Sequence, residues 1–328
     1  MSMKGLNYKF LAYMDGADKR FIIPVYQRNY DWRKENCIQL FDDLVKVIKE
    51  KRPSHFFGSI VSVHKDGEFS EHIVIDGQQR LTTVSLLLLA MYKLMKKGTV
   101  VPEKNNLADK IYKTYLINEW QEDLTLRIKL KQVKDDSKAF IQLFGDDENQ
   151  IPESSLTLNY KYFYNRIAQK EVTVDDLYSA INKLEIINIT LGSDDNPQLI
   201  FESMNSTGLA LNESDKIRNF VLMGLPVKQQ EMFYEKYWKS IEARTDYKVD
   251  DFVRDYLTIK QSKIPNQKMI YAIFKAYVAN HHFDIEDLLK DLLNYAKRYE
   301  ILLTGRTPNQ SLNASIIRLL RLKTTVIR

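Results

Sequence analysis

Residues 74–83 read V-I-D-G-Q-Q-R-L-T-T, setting one acid, one glycine, two amides and a guanidinium between an apolar strand and an apolar helix. Gly77 lets the backbone turn sharply and approach a ligand closely. The helix that follows presents unpaired N–H groups and the positive end of its dipole at its start. Arg80 adds a fixed charge whose fork geometry suits phosphate oxygens, so the set can bind an anion. Asp76 can hold Mg²⁺ through a water shell, cap the helix or pair with an arginine. Gln78 and Gln79 can orient water or read a base edge. A capped strand-to-helix turn with a surface arginine explains this stretch equally well.

Two further stretches carry comparable chemistry. Tyr26-Gln27-Arg28-Asn29-Tyr30-Asp31-Trp32 places an amide and a guanidinium among aromatic rings. Arginine with aromatics is how bases are gripped by stacking, and also how ordinary loops are pinned to a core. Trp32 is expected in the core. In residues 196–219, Asn196-Pro197 starts a short helix ending near Asn205, and Gly208 turns the chain. Ser214 or Asn212 then caps a helix carrying Asp215, Lys216 and Asn219, with Asp215 and Asn219 on one face. This set can bind a phosphate or sugar, or be capping plus a surface ion pair.

Elements must hold these residues in place. Phe21-Ile22-Ile23-Pro24 reads as a strand stopped by proline, and Asp31 as the N-cap of a helix through Ile38, Phe41, Val45 and Ile48, ended by Pro53. His55–Val63 reads as a buried strand that turns at Lys65-Asp66-Gly67-Glu68 into the strand ending at Asp76. From Leu81 to about Lys97 the pattern is helical. Leu124–Lys131 alternates apolar and polar residues, the period of an edge strand with a basic outer face. Thr173-Val174-Asp175-Asp176 has capping-box spacing, and Leu184–Leu191 returns to strand character. From about Val227 the pattern is helical almost throughout.

Composition narrows the classes. With 328 residues, 44% of them hydrophobic, the chain can bury a substantial core and is expected to form two domains or one elaborated domain. A net charge of +5 permits nucleic-acid binding without demanding it. The single cysteine, Cys37, excludes an intrachain disulfide or a cysteine-based zinc site, and its amphipathic setting reads as a buried structural thiol. The N-terminus lacks the apolar core of a signal peptide, and the longest apolar run, Leu86–Met91, is too short to span a bilayer. A cytoplasmic location without membrane contact is expected. No G-x-x-x-x-G-K-[ST], H-E-x-x-H or G-x-S-x-G motif occurs, and the five histidines are scattered apart from His281-His282.

Taken in order, I-P-x-Y-Q-R-x-Y-x-W, F-x-G-S-I-V, V-I-D-G-Q-Q-R-L-T-T and the F-x-x-x-N-x-x-G-x-x-L stretch ending in Asp215-Lys216 resemble the DUF262 family, the N-terminal domain of GmrSD-type modification-dependent restriction proteins. The resemblance implies an α+β fold: a small mixed sheet with a ParB/sulfiredoxin-like core over residues 1–225, a helical insertion at about 100–183, and a mainly helical domain at 226–328. It also implies a nucleotide-binding and hydrolysis site at Asp76, Gln78, Gln79 and Arg80, with Tyr26, Gln27, Arg28, Gly77, Asn205, Gly208, Asp215, Lys216 and Asn219 around it. A nucleoside triphosphate is the implied substrate or effector, with Mg²⁺ at Asp76. Family members use it to regulate defence against phage DNA bearing modified bases or phosphorothioate linkages.

Full-length relatives commonly continue into a DUF1524 domain with an HNH nuclease centre, which needs clustered His and Asn residues. None is legible here, and the apolar periodicity at Ile316, Ile317 and Leu320 is expected to run on into such a domain. The expected function is an NTP-hydrolysing regulatory module of a restriction system acting on modified DNA. The alternatives are a non-catalytic DNA-binding sensor and a ParB-like domain that nicks DNA.

Overall fold

The helix after the polar turn is apolar on nearly every side, so it has to be enclosed. In the computed structural model, which describes residues 4–65, 67, 69–192, 195–205 and 211–321, this helix (α3, Gln78–Lys96) is the buried centre of the first half of the chain. Leu81, Val84 and Leu86–Met91 are all almost fully buried. Around α3 pack the helix Ser155–Ala168 and the segment Leu107–Leu116. Two more helices, α1 (Phe10–Met14) and α2 (Lys34–Lys49), contribute Phe10, Phe41 and Leu44 to the same core.

Six strands form one mixed sheet: β1 (Lys4–Lys9), β2 (Lys19–Ile22), β3 (His55–Lys65), β4 (Ser70–Asp76), β5 (Leu130–Lys131) and β6 (Leu184–Leu191). Their order is β1-β6-β3-β4-β2-β5. β6 runs antiparallel to β1 and parallel to β3, β3 is antiparallel to β4, and β2 is parallel to both β4 and β5. With the helices, this is the α+β class expected. Two register shifts matter for the site. One sits between Phe56 and Gly58, against β6; the other leaves Ile75 as an extra residue between the pairs Val61–Asp76 and Ser62–Val74.

The chain divides into two compact units, Met1–Pro197 and Gln198–Arg328. From the sequence the boundary is expected at 225. In the second unit the helix Pro197–Asn205 is tied to later helices, because the Glu202 carboxylate accepts from the Tyr271 hydroxyl and, at 2.9 Å, from Lys275 Nζ. The regular structure of the described part of this unit is helical throughout. Among the described residues no helix is long and apolar enough to cross a membrane.

Two local expectations are corrected. Asp31 does not cap α2, which begins at Lys34; its N–H is held elsewhere and its carboxylate faces Arg28. The alternating run Leu124–Lys131 is not one strand. Asp123 caps a single helical turn over Leu124–Arg127, accepting the Thr125 N–H at 2.7 Å, and only Leu130–Lys131 pairs in the sheet. Nor is its basic face all outward. Lys129 is 1% exposed and donates from Nζ to the carbonyls of Gly16, at 2.7 Å, and Thr114. Cys37, as expected, is buried, and burial pushes its thiol up to about 12.

Burial pulls the Lys129 ammonium down to about 8, below its ordinary 10.5. Its charge therefore opposes folding at neutral pH, and that opposition fades as pH rises from about 8 to 10.5, where only the unfolded chain still holds the proton. Lys129→Met strands two carbonyls and should cost about 1–3 kcal/mol at pH 7. In urea titrations, the stability gap between wild type and this variant should widen from pH 8 to pH 10; a gap that narrows would contradict the assignment.

Candidate functional site

The polar turn is built by two glycines, one after β4 and one within β3. Gly77, between β4 and α3, adopts φ +95°, which only glycine takes without strain. A Cβ there would lie 2.9 Å from Ile60 Cγ1 and 3.0 Å from the Ser59 carbonyl oxygen, so β3 can pass close only because the side chain is missing. Gly58, at φ +115°, is the reciprocal case. Its Cβ would lie 2.7 Å from Arg80 Nε and 2.9 Å from Arg80 Cζ. The guanidinium thus rests flat on bare β3 backbone, with Nη1 donating to the Ser59 carbonyl at 3.1 Å.

Arg80 Nη1 also stands 3.7 Å from Asp76 Oδ2, and both side chains remain about a third exposed, at 30% and 31%. Burial raises the Asp76 carboxyl above the ordinary range, opposed by Arg80, by the Gly77 N–H and by Arg28. A guanidinium, a carboxylate and the first-turn N–H groups of a long helix therefore meet at a partly open turn.

The amides do something the sequence did not reveal. Gln79 Oε1 accepts the backbone N–H groups of Asp31 (3.0 Å) and Trp32 (3.2 Å), while its Nε2 donates to the Asn29 carbonyl at 3.2 Å. Gln27 Nε2 donates to the carbonyl of the bulged Ile75 at 2.8 Å, and Gln78 Nε2 to the Arg28 carbonyl at 3.3 Å. All three glutamines are buried, and together they bind the loop 27–32 to the turn. Gln78 Oε1 is buried and has no hydrogen-bond partner among the described residues. Arg28 stays near the turn and pairs with Asp31 at 3.3 Å, while Tyr26 is buried at 2% exposure.

Other contributors had no assigned role in the sequence. Tyr30, buried, shares its hydroxyl with Thr83 (2.8 Å) and Asn159 (3.0 Å), and Asn159 Nδ2 also donates to the Trp32 carbonyl at 2.7 Å. Asp136 accepts the Tyr30 N–H, and burial pushes its carboxyl up to about 6. Gly58 could have been found: a glycine inside a strand pattern marks a bulge or a close approach. Trp32 is half-buried rather than fully in the core, its ring edge-on to Phe57.

The third stretch belongs to the second unit. Asn212 caps the helix Glu213–Leu222 by accepting the Asp215 N–H at 2.7 Å, as expected. Asp215 pairs with Arg218 at 2.7 Å, and Lys216 with Glu213 at 2.7 Å. Asn219 is buried at 3% exposure, with Oδ1 lacking a hydrogen-bond partner among the described residues. Gly208 and the Asn205 side chain lie outside the described residues. No group of three or more metal-ligating side chains occurs among those described.

An α+β unit with an arginine–carboxylate pair at a strand–glycine–helix junction defines a class: a domain whose polar site opens at the start of its central helix. The chain matches the GmrSD restriction endonuclease N-terminal domain over residues 11–222 and belongs to that family. No curated protein is a significant match to it.

Gln79 and Gln78 make separable predictions. Gln79→Ala leaves two backbone N–H groups of the loop without their acceptor and should destabilise by about 1–3 kcal/mol. Gln78→Ala, which removes one long hydrogen bond, should cost under about 1 kcal/mol. Thermal unfolding followed by circular dichroism checks the order; equal costs would show that Gln79 is not the clamp.

Proposed function

We propose that this chain is a nucleotide-binding, NTP-hydrolysing regulatory module of a restriction system that acts on modified DNA. Its family supports the restriction system. The observation that carries the nucleotide reading is Arg80 laid flat across Gly58 at the N-terminus of α3, its charge fixed in place beside the unpaired N–H groups of the first turn. Arg80 and those N–H groups take up phosphate oxygens, and Arg28 supplies a second positive charge from the loop. Such a site works by positioning and charge stabilisation. Gln78, whose Oε1 is buried without a hydrogen-bond partner among the described residues, is the amide left to hold a water; Gln79 and Gln27 are positioning residues that hold the loop.

Asp76 is the carboxylate at the turn, and one carboxylate fits the way Mg²⁺ is held when triphosphate oxygens and water fill its remaining positions. Bound there, the ion would offset phosphate charge. One observation favours the second reading, a sensor that binds without hydrolysis: Asp76 is already paired with Arg80.

Calorimetric titration of ATP, GTP, CTP and UTP with Mg²⁺ tests the proposal. Wild type should bind, and Arg80→Ala should weaken binding roughly 10–100-fold, the worth of a hydrogen bond to a charged group. Gly58→Ala should weaken it as well, because the added methyl displaces the guanidinium without touching ligand. A folded wild type that binds none of the four would overturn the nucleotide reading. Binding without phosphate release would leave the sensor.

A further inference from the structure

A cleft of about 600 Å³ runs along the helix Ser155–Ala168, with Trp32, Arg33 and Lys34 as its opposite wall. On the helix side Ser155, Leu158, Asn159, Tyr162, Asn165 and Arg166 recur at intervals of three or four, the spacing of a single face. No carboxylate is among the residues that line it. Lys34 and Lys161 are exposed, and Lys34 Nζ stands 5.9 Å from the centre of the Tyr162 ring. Arg166 is partly neutralised at the rim by Asp42 and Glu171, at 3.3 and 2.6 Å. Arg33, Lys34 and Lys161 have no carboxylate within ion-pair reach among the described residues, whereas Lys46, Lys49, Lys93, Lys96, Lys97 and Lys113 of the same unit each pair with one.

Three features select the occupant. The charge is of one sign, so the ligand is anionic. A helix face of this length extends about 21 Å, comparable with about six phosphates of one DNA strand and far longer than one small anion needs. The lining mixes cations with aromatic rings and amides, and the Tyr162 hydroxyl and Arg166 Nε are buried without a hydrogen-bond partner among the described residues. Cations interleaved with aromatics are the composition of grooves that track a nucleic-acid strand.

We propose that this cleft is the surface on which the domain takes a strand of DNA, with Arg33, Lys34 and Lys161 contacting phosphates. The choice of DNA rests on the restriction-system reading above; the cleft is separate from the phosphate site proposed at Arg80. The two are joined by covalent neighbours, since the loop held by Gln79 ends in Trp32, whose carbonyl is held by Asn159 on the cleft's own helix.

The experiment is fluorescence anisotropy with a labelled single-stranded oligonucleotide and its duplex, across a salt series, on the full chain. Wild type should bind, and the pair Lys34→Glu/Lys161→Glu should lose about tenfold or more in affinity with a shallower salt slope. Lys34→Arg/Lys161→Arg should retain binding, and all variants should keep the nucleotide titration of wild type. DNA binding unchanged in the charge-reversed pair, or no DNA binding by wild type at low salt, would overturn the proposal. So would equal competition by heparin, which would mark a general polyanion surface. If nucleotide titration fails while the charge-reversed pair still loses DNA, the cleft stands and the nucleotide reading falls.

Discussion

Everything at the candidate site depends on the close approach of β3 to the start of α3. Two absent side chains permit it. At Gly77 the missing Cβ makes room for Ile60 and the Ser59 carbonyl; at Gly58 it makes room for the Arg80 guanidinium. Each glycine also sits at positive φ, where any other residue would add strain of order 1–3 kcal/mol. The two positions are therefore coupled through geometry: one sets where the helix begins, the other where its first cation lies. A helix start that loses either loses the register between Arg80 and Asp76.

The amides solve a different problem. The loop 27–32 crosses a buried junction without regular secondary structure, so its backbone groups need partners. A glutamine can donate and accept through one side chain, and Gln79 uses both capacities at once, on Asp31, Trp32 and Asn29. A glutamate in its place could accept both N–H groups but not donate to Asn29, and would bring a charge into a mostly buried site. Gln27 performs the same service for the carbonyl that the bulge at Ile75 turns aside. The repeated Gln-Arg pairs of the sequence, Gln27-Arg28 and Gln79-Arg80, thus divide their work: the amide holds backbone, and the guanidinium stays partly exposed beside a carboxylate.

Much of this was legible in the residues. The turn at Asp76-Gly77, strands β2, β3, β4 and β6, helix α3, the Asn212 cap and the helix Pro197–Asn205 all follow from local pattern, because apolar periodicity and capping chemistry act over a few residues. What failed was non-local. Asp31 has the composition of an N-cap, but Gln79, distant in sequence, claims its N–H. Leu124–Lys131 alternates like a strand, but Asp123 caps a helical turn first, and Lys129 points inward to two carbonyls that no neighbouring residue announces. Gln27 and Gln79 give no local sign of their clamp, because their partners are backbone atoms of another segment, which no side-chain pattern records. Asp215 pairs with Arg218 and Lys216 with Glu213, each three residues apart on one helix face.

The loop 27–34 is anchored at Trp32 from two helices, and this limits how its surroundings can communicate. At Trp32 the N–H belongs to Gln79 and the carbonyl to Asn159, so α3 and the helix Ser155–Ala168 hold the same short segment from opposite sides. Arg28 lies before this point, near the turn, and Arg33 and Lys34 lie after it, in the cleft. A ligand that displaced Arg28 without breaking the Gln79 bonds would leave Trp32 in place, because that residue is held through both its N–H and its carbonyl. Coupling between the two places requires those bonds to exchange as a set, a second discrete arrangement of the loop. Any such exchange has to release Gln79, whose one amide both accepts from Asp31 and Trp32 and donates to Asn29.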